Sequence, residues 1–121
     1  MLPLILASSS GYRRQLLDKL QLPYTWHSPD IDETPQADES PEQLVSRLAR
    51  QKALALGERF PANLIIGSDQ VASLENRILG KPGNHQKAAE QLLLMQGKTV
   101  DFVTGLALLN SSSGNLQSIT D

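Results

Sequence analysis

At 121 residues, with 11 Lys+Arg against 13 Asp+Glu and a net charge of −2, the chain is long enough to bury its own core and has no large charge excess. It has no cysteine, which excludes disulfide frameworks, thiol nucleophiles and Cys-ligated zinc. No apolar run approaches the roughly 18 residues of a membrane span, and no basic-then-apolar leader opens the chain. Residues 1–60 carry 7 basic and 8 acidic side chains and residues 61–121 carry 4 and 5, so neither half offers a patch for a DNA or RNA polymer. A soluble, cytoplasmic protein of one domain, 1–121, is the expectation.

Leu2 to Ala7 is a short apolar run halted by Ser8-Ser9-Ser10-Gly11, after which Tyr12, Leu16, Leu17 and Leu20 recur at helical spacing. The order is strand, polar turn, helix. Tyr24 to Ser28 reads as a second strand, with Tyr24 and Trp26 alternating on a core or half-core face. It leads into a loop, because residues 29–43 hold six carboxylates (Asp30, Asp32, Glu33, Asp38, Glu39 and Glu42), three prolines and no base. Ser40 as N-cap, Pro41 at N1 and Gln43 at the capping-box position open a second helix. Its apolar face, Leu44 to Leu56 with Lys52 among it, runs to a stop at Gly57. Asn63 to Asp69 reads as a buried strand ending in a polar turn, and Val71 to Leu74 and Ile78-Leu79 as short strands around Glu75-Asn76-Arg77. A third helix spans about Asn84 to Gln96, and Thr99 to Leu109 is the longest β-like stretch. Strands alternating with helices predict an α/β domain. Leu116 to Asp121 begins the return strand of a hairpin, where the chain stops; the sequence reads as C-terminally truncated, with an exposed sheet edge.

Three places concentrate polar chemistry. A strand feeding Ser8-Ser9-Ser10-Gly11 and then a helix presents free backbone N–H groups and the positive end of the helix dipole. Serine hydroxyls there can donate to phosphate oxygens, and arginine can clamp them bidentately. Arg13 and Arg14 in the first turn oppose the dipole, a conflict that an external anion would resolve. The alternative is a serine N-cap with two solvent-facing arginines. Asp69, at the end of a buried strand, stands where open α/β sheets gather ligands; it can hold a divalent cation or take a proton from water, or simply cap a turn. Lys81, between Gly80 and Pro82, is held in one direction and suits a phosphate. Lys52 either pairs with an anion or snorkels from the edge of its stripe. His27 and His85 lack the spacing of a metal pair, and spacing alone does not single out Glu33 among the loop carboxylates.

In order along the chain, Leu-Ala-Ser8-Ser9-Ser10-Gly11-Tyr12-Arg13-Arg14, Asp32-Glu33-Thr34-Pro35, the helix lysine Lys52, Gly67-Ser68-Asp69-Gln70-Val71 and Gly80-Lys81-Pro82 resemble the Maf family of nucleotide pyrophosphatases, the septum-formation inhibitor proteins. The likeness runs from residue 4 to the last residue. It is strongest to the 7-methyl-GTP pyrophosphatase subgroup, in which an aromatic residue, here Tyr12, precedes the arginine pair and a glutamine, here Gln70, follows the aspartate. The dTTP/UTP subgroup instead resembles Ser-x-Ser-Pro-Arg-Arg and Asp-Thr-x-Val. Gly11 departs from the family's usual proline, and family members continue well past Asp121.

The resemblance implies a mixed, twisted α/β sheet with flanking helices, of the Maf/ITPase kind. It implies hydrolysis of a nucleoside triphosphate between the α and β phosphates, with a divalent cation, Mg²⁺ or Mn²⁺. Asp69 would be the proton acceptor, with Lys81, Lys52 and Glu33 beside it as catalytic groups; Ser8, Ser10, Arg13 and Arg14 would bind the substrate. Tyr12 and Gln70 would set specificity, and Glu33 and Asp69 would hold the metal. The alternatives are a non-catalytic nucleotide-binding module, an inactive fragment, or a dTTP/UTP pyrophosphatase. A homodimer is left open.

Overall fold

A computed structural model of the chain describes residues 2–8, 10–75, 77–79 and 85–121. Strand β1 (Leu4–Ala7) is followed by helix α1 (Gly11–Asp18), strand β2 (Thr25–His27) and helix α2 (Pro41–Arg59). Then come β3 (Leu64–Leu74), β4 (Arg77–Leu79), helix α3 (His85–Met95), and the hairpin β5 (Val100–Asn110) and β6 (Asn115–Thr120). Among the described residues the six strands form one sheet in the order β2-β1-β3-β5-β6, with β4 paired to β3. β1 runs parallel to both β2 and β3, while β5 and β6 are antiparallel. The sheet is therefore mixed, as expected.

Two expected boundaries move. Residues 64–74 form one continuous strand, where a polar turn at Asp69 and a separate strand 71–74 are expected from the sequence. Asp69 is mid-strand, held by pairing with Gly105 of β5. What ends beside it is β1: Ala7 is its last residue and pairs with Gly67. Gly57 does not stop α2, which continues to Arg59. A Cβ at Gly57 would stand 2.6 Å from Leu109 Cδ2, so this glycine marks a packing contact. The start of α2 is as read, with Ser40 Oγ accepting from the Gln43 N–H and Gln43 Oε1 from the Ser40 N–H.

Strand periodicity sorts the sheet into two unlike faces. Ile5, Ala7, Ile65, Ala107 and Leu109 pack with Ala49, Ala53 and Leu56 of α2 in one buried cluster. Helix α2 comes close because Gly67 and Gly105 lack side chains. A Cβ on Gly67 would lie 2.1 Å from the Ala49 carbonyl oxygen, and one on Gly105 2.3 Å from that of Val45. On the other face, Leu16 and Leu17 of α1, with Leu20 beyond it, surround an apolar hollow with Leu6, Ile66 and Leu106. Further along that face Phe102, Leu108 and Ile119 are exposed. Trp26 is also exposed, against the core or half-core position expected: among the described residues β2 pairs only with β1, and the Arg14 guanidinium lies 4.1 Å over the indole ring. β6 is fully paired over Gly105–Asn110 and forms a sheet edge.

Candidate active site

The site is built where β1 stops and β3 runs on. The turn after Ala7 enters α1 with Ser10 as N-cap; Ser8 Oγ accepts from the Ser10 N–H at 3.0 Å, and Ser10 Oγ from the Arg13 N–H at 3.3 Å. Both serines act here as acceptors, and among the described residues neither hydroxyl proton is given to a protein acceptor. Each can still donate. Arg13 stands beside them, and Ser8, Ser10, Arg13, Ser28, Glu33 and Lys52 line a cleft of about 290 Å³.

Lys52 is the hub. Its side chain is 8% exposed, and its Nζ donates to the Ser68 carbonyl at 3.2 Å and to Asp69 Oδ1 at 3.1 Å. It also pairs with Glu33 Oε1 at 3.0 Å. Two hydrogen bonds and an ion pair to a second carboxylate thus hold the ammonium group in place. The snorkelling alternative is removed. Asp69, 11% exposed, faces α2 because the alternation of β3 that turns Ile65 and Gly67 to the helix turns residue 69 there too. Its Oδ2 is buried and has no hydrogen-bond partner among the described residues. Glu33 is 58% exposed, so it is the partner of Lys52 that can turn toward an incoming ligand.

Arg47 holds the loop that carries Glu33. It donates to Glu39 Oε2 at 2.7 Å and Oε1 at 3.0 Å, to the Thr34 carbonyl at 3.1 Å and to Gln51 Oε1 at 3.2 Å. Arg47, by its hydrogen bond, and the Gln36 N–H hold the Glu39 carboxyl below the usual glutamate range. Hydrogen bonding from Thr34 does the same to Asp32. The one signal in the sequence for this clamp is a run of six carboxylates with no base of its own, whose cation had to come from elsewhere.

The structure thus brings together Ser8, Ser10, Arg13, Glu33, Lys52 and Asp69. Arg14 turns to Trp26 instead, with its Nε buried and lacking a partner among the described residues. Tyr12 is 67% exposed, so it is not the packed first residue of a helix stripe. Gln70 Nε2 donates to Thr104 Oγ1 at 3.1 Å on the face away from α2. Lys81 lies outside the described residues. Among the described residues no group of three or more His, Asp or Glu could hold a metal ion by itself. Two carboxylates on one lysine, one with an orphaned buried oxygen, are a donor set that suits a hard cation sharing its sphere with phosphate oxygens and water.

A mixed α/β sheet with a hydroxyl- and cation-lined cleft at the carboxyl end of a parallel strand is where such folds hold ligands. Residues 3–121 match the family described as "Maf-like protein", and the chain belongs to that family. It is 61% identical over 117 residues to the 7-methyl-GTP pyrophosphatase of Pseudomonas putida, covering 97% of this chain and 61% of that protein. It is 58% identical over 118 residues to the 7-methyl-GTP pyrophosphatase of Alcanivorax borkumensis, covering 98% and 60%. The chain therefore spans about three fifths of the length of these curated relatives. Among solved structures it is similar to a nucleoside-triphosphatase, described as a dITP/XTP pyrophosphatase, from Mycobacterium abscessus. The TM-score is 0.63 at 16% identity, over 99% of this chain and 71% of that one. The Ham1 protein of Staphylococcus aureus gives 0.63 at 15%, over 98% and 68%. These two likenesses establish the fold. No helix among the described residues is long and apolar enough to cross a membrane.

Proposed function

We propose that this chain is the phosphate-binding part of a nucleoside triphosphate pyrophosphatase whose substrate is 7-methyl-GTP, acting in the cytoplasm. The observation that carries the reading is the Glu33–Lys52–Asp69 trio set against the Ser8, Ser10 and Arg13 cleft; the names of the relatives support the substrate. Ser8 and Ser10 donate their free hydroxyl protons to phosphate oxygens, and Arg13 adds a bidentate cation. Each turnover consumes one water, breaks the P–O bond between the α and β phosphates and releases a proton. Asp69, held by Lys52 with one oxygen unused, accepts that proton. Lys81 joins the cation set from the segment after β4. Phosphoryl chemistry of this kind depends on positioning and charge neutralisation. Glu33, with Asp69 as the second carboxylate of the set, would hold Mg²⁺ or Mn²⁺, which would supply charge neutralisation for the phosphates when bound.

Gln70 stands on the face of β3 away from α2, and Tyr12 is exposed on the first turn of α1; both are assigned to the base in this reading. N7-methylated guanine carries a delocalised positive charge, and an exposed tyrosine face gives it a cation–π gain of roughly 0.5–2 kcal/mol that GTP lacks. The test is product analysis with 7-methyl-GTP, GTP, dTTP and UTP in the presence of Mg²⁺. Release of pyrophosphate and 7-methyl-GMP, fastest from 7-methyl-GTP, is expected. A chain that is melting-shifted by the nucleotide yet never cleaves it is a binding module, and a preference for dTTP or UTP overturns the substrate.

A further inference from the structure

Glu33 reaches Lys52 from a loop that has every reason to wander. Residues 29–39 form no helix or strand, four carboxylates repel one another within residues 30–39 apart from Glu33 itself, and the Glu33 side chain is more than half exposed. An exposed ion pair contributes little by itself, since ordering two long side chains offsets most of the attraction. Its 3.0 Å pairing with Lys52 therefore needs another anchor.

That anchor is Arg47. Its guanidinium grips both oxygens of Glu39, the largely buried far end of the loop, and the carbonyl of Thr34, the residue next to Glu33. On the helix side the same group is braced by Gln51, one turn along α2. Asp32 Oδ1 accepts the Thr34 N–H at 2.9 Å, so Glu33 stands between two fixed neighbours with its side chain directed to Lys52. Arg47 and Lys52 sit on the same helix. Whatever holds the loop to Arg47 holds Glu33 to the lysine that holds Asp69.

We infer that Arg47 is a positioning residue for the candidate active site: it straps the 32–39 loop to α2 and so sets Glu33 against Lys52. Among the described residues no hydrogen bond or ion pair joins Arg47 to the Ser8–Arg13 turn; its partners are Glu39, Thr34 and Gln51. Its removal therefore acts on the Glu33 side of the cleft and leaves the phosphate cradle in place. Lysine is a poor substitute, because one ammonium cannot bind a carboxylate bidentately while also reaching a backbone carbonyl and Gln51. This inference rests on the proposed pyrophosphatase for its catalytic consequence, whereas the strap itself can be tested without any turnover.

The experiment compares the whole chain with Arg47→Ala, Arg47→Lys, Glu39→Gln and the exchanged pair Arg47→Glu/Glu39→Arg. Hydrogen exchange is read first. In Arg47→Ala the amides of residues 33–39 should lose about tenfold or more in protection while residues 44–56 of α2 keep theirs, and the exchanged pair should regain part of it. Mn²⁺ binding, read by electron paramagnetic resonance, and steady-state kinetics follow. Supporting groups around a ligand set typically account for 10- to 100-fold in metal affinity or activity, so Arg47→Ala should weaken Mn²⁺ or lower kcat by about tenfold with KM little changed. Exchange at 33–39 that ignores Arg47, or a loosened loop with Mn²⁺ affinity, kcat and KM all unaltered, overturns the inference. A failure of the pyrophosphatase reading looks different: the wild-type chain itself cleaves no triphosphate, while loop protection still follows Arg47.

Discussion

The two faces of the sheet are built to opposite standards. Beneath α2, backbone meets backbone so closely that Gly67 and Gly105 have no room for a methyl group, and the inward residues of β5, Val103, Gly105, Ala107 and Leu109, are all buried. On the reverse, Phe102, Leu106 and Leu108 of the same strand are exposed, and α1 covers only the end near Leu6 and Ile66. Asp69 belongs to the close-packed face and Gln70 to the open one. Groups whose position must be exact in the proposed reaction, Lys52 and Asp69, are held by the rigid side. Of the groups assigned to choosing the base, Gln70 stands on the open side and Tyr12 is exposed on α1.

That contrast can be broken most decisively at Gly67. Gly67→Val forces a side chain into the Ala49 carbonyl, and urea unfolding should show a loss of at least about 3 kcal/mol, beyond ordinary overpacking because backbone cannot yield. Second in size, Asp69→Asn should lower turnover by about 10² or more with the melting transition kept cooperative; near-normal turnover removes Asp69 from the chemistry. On the open side, Tyr12→Ala should reduce the kcat/KM ratio of 7-methyl-GTP over GTP by roughly 2- to 30-fold, the span of the cation–π term. Equal losses for both substrates would make Tyr12 a general contact. Acid supplies a gentler probe. The Glu39 and Asp32 carboxyls bind protons less readily folded than unfolded, so their contribution is complete above Glu39's ordinary 4.5 and vanishes as pH falls through the lower folded values. Exchange protection at residues 33–39 should fall in that acid range before α2 opens. The smallest effect is expected for Phe102→Thr, within about 0.5 kcal/mol, as for exposed positions generally. A large loss there would mean the open face is packed after all.

What could be read in advance divides by distance along the chain. The capping box at Ser40 and Gln43 involves residues three apart, and both the strand–turn–helix at 4–18 and the hairpin turn announce themselves in adjacent residues. The sequence alone does not distinguish a helix stop at Gly57 from a packing glycine, because the deciding neighbour, Leu109, is far along the chain. The same holds for Asp69. Its placement near a strand end is right in space, but the strand that ends is β1, and β3 continues because β5 pairs with it throughout. That Ser8, Ser10, Arg13, Lys52, Glu33 and Asp69 gather at one place was legible from residue types and a family likeness. The division between Arg13 in the cleft and Arg14 on Trp26 depends on which way two neighbours on a helix point, and Arg47 emerges only once the loop is laid against α2.

The pairing of β1 with β3 has a consequence in time. Leu4 to Ala7 pair with Leu64 to Gly67, each residue with the one 60 positions further along the chain. During synthesis, at about 5–20 residues per second, the Ser8–Arg13 turn emerges seconds before the strand that will anchor it. Distant pairing of this kind carries a loop-closure penalty before any contact rewards it. The segment translated first therefore waits for its partner: nascent chains halted before residue 64 carry Ser8, Ser10 and Arg13 of the cleft, but not the strand against which β1 is fixed.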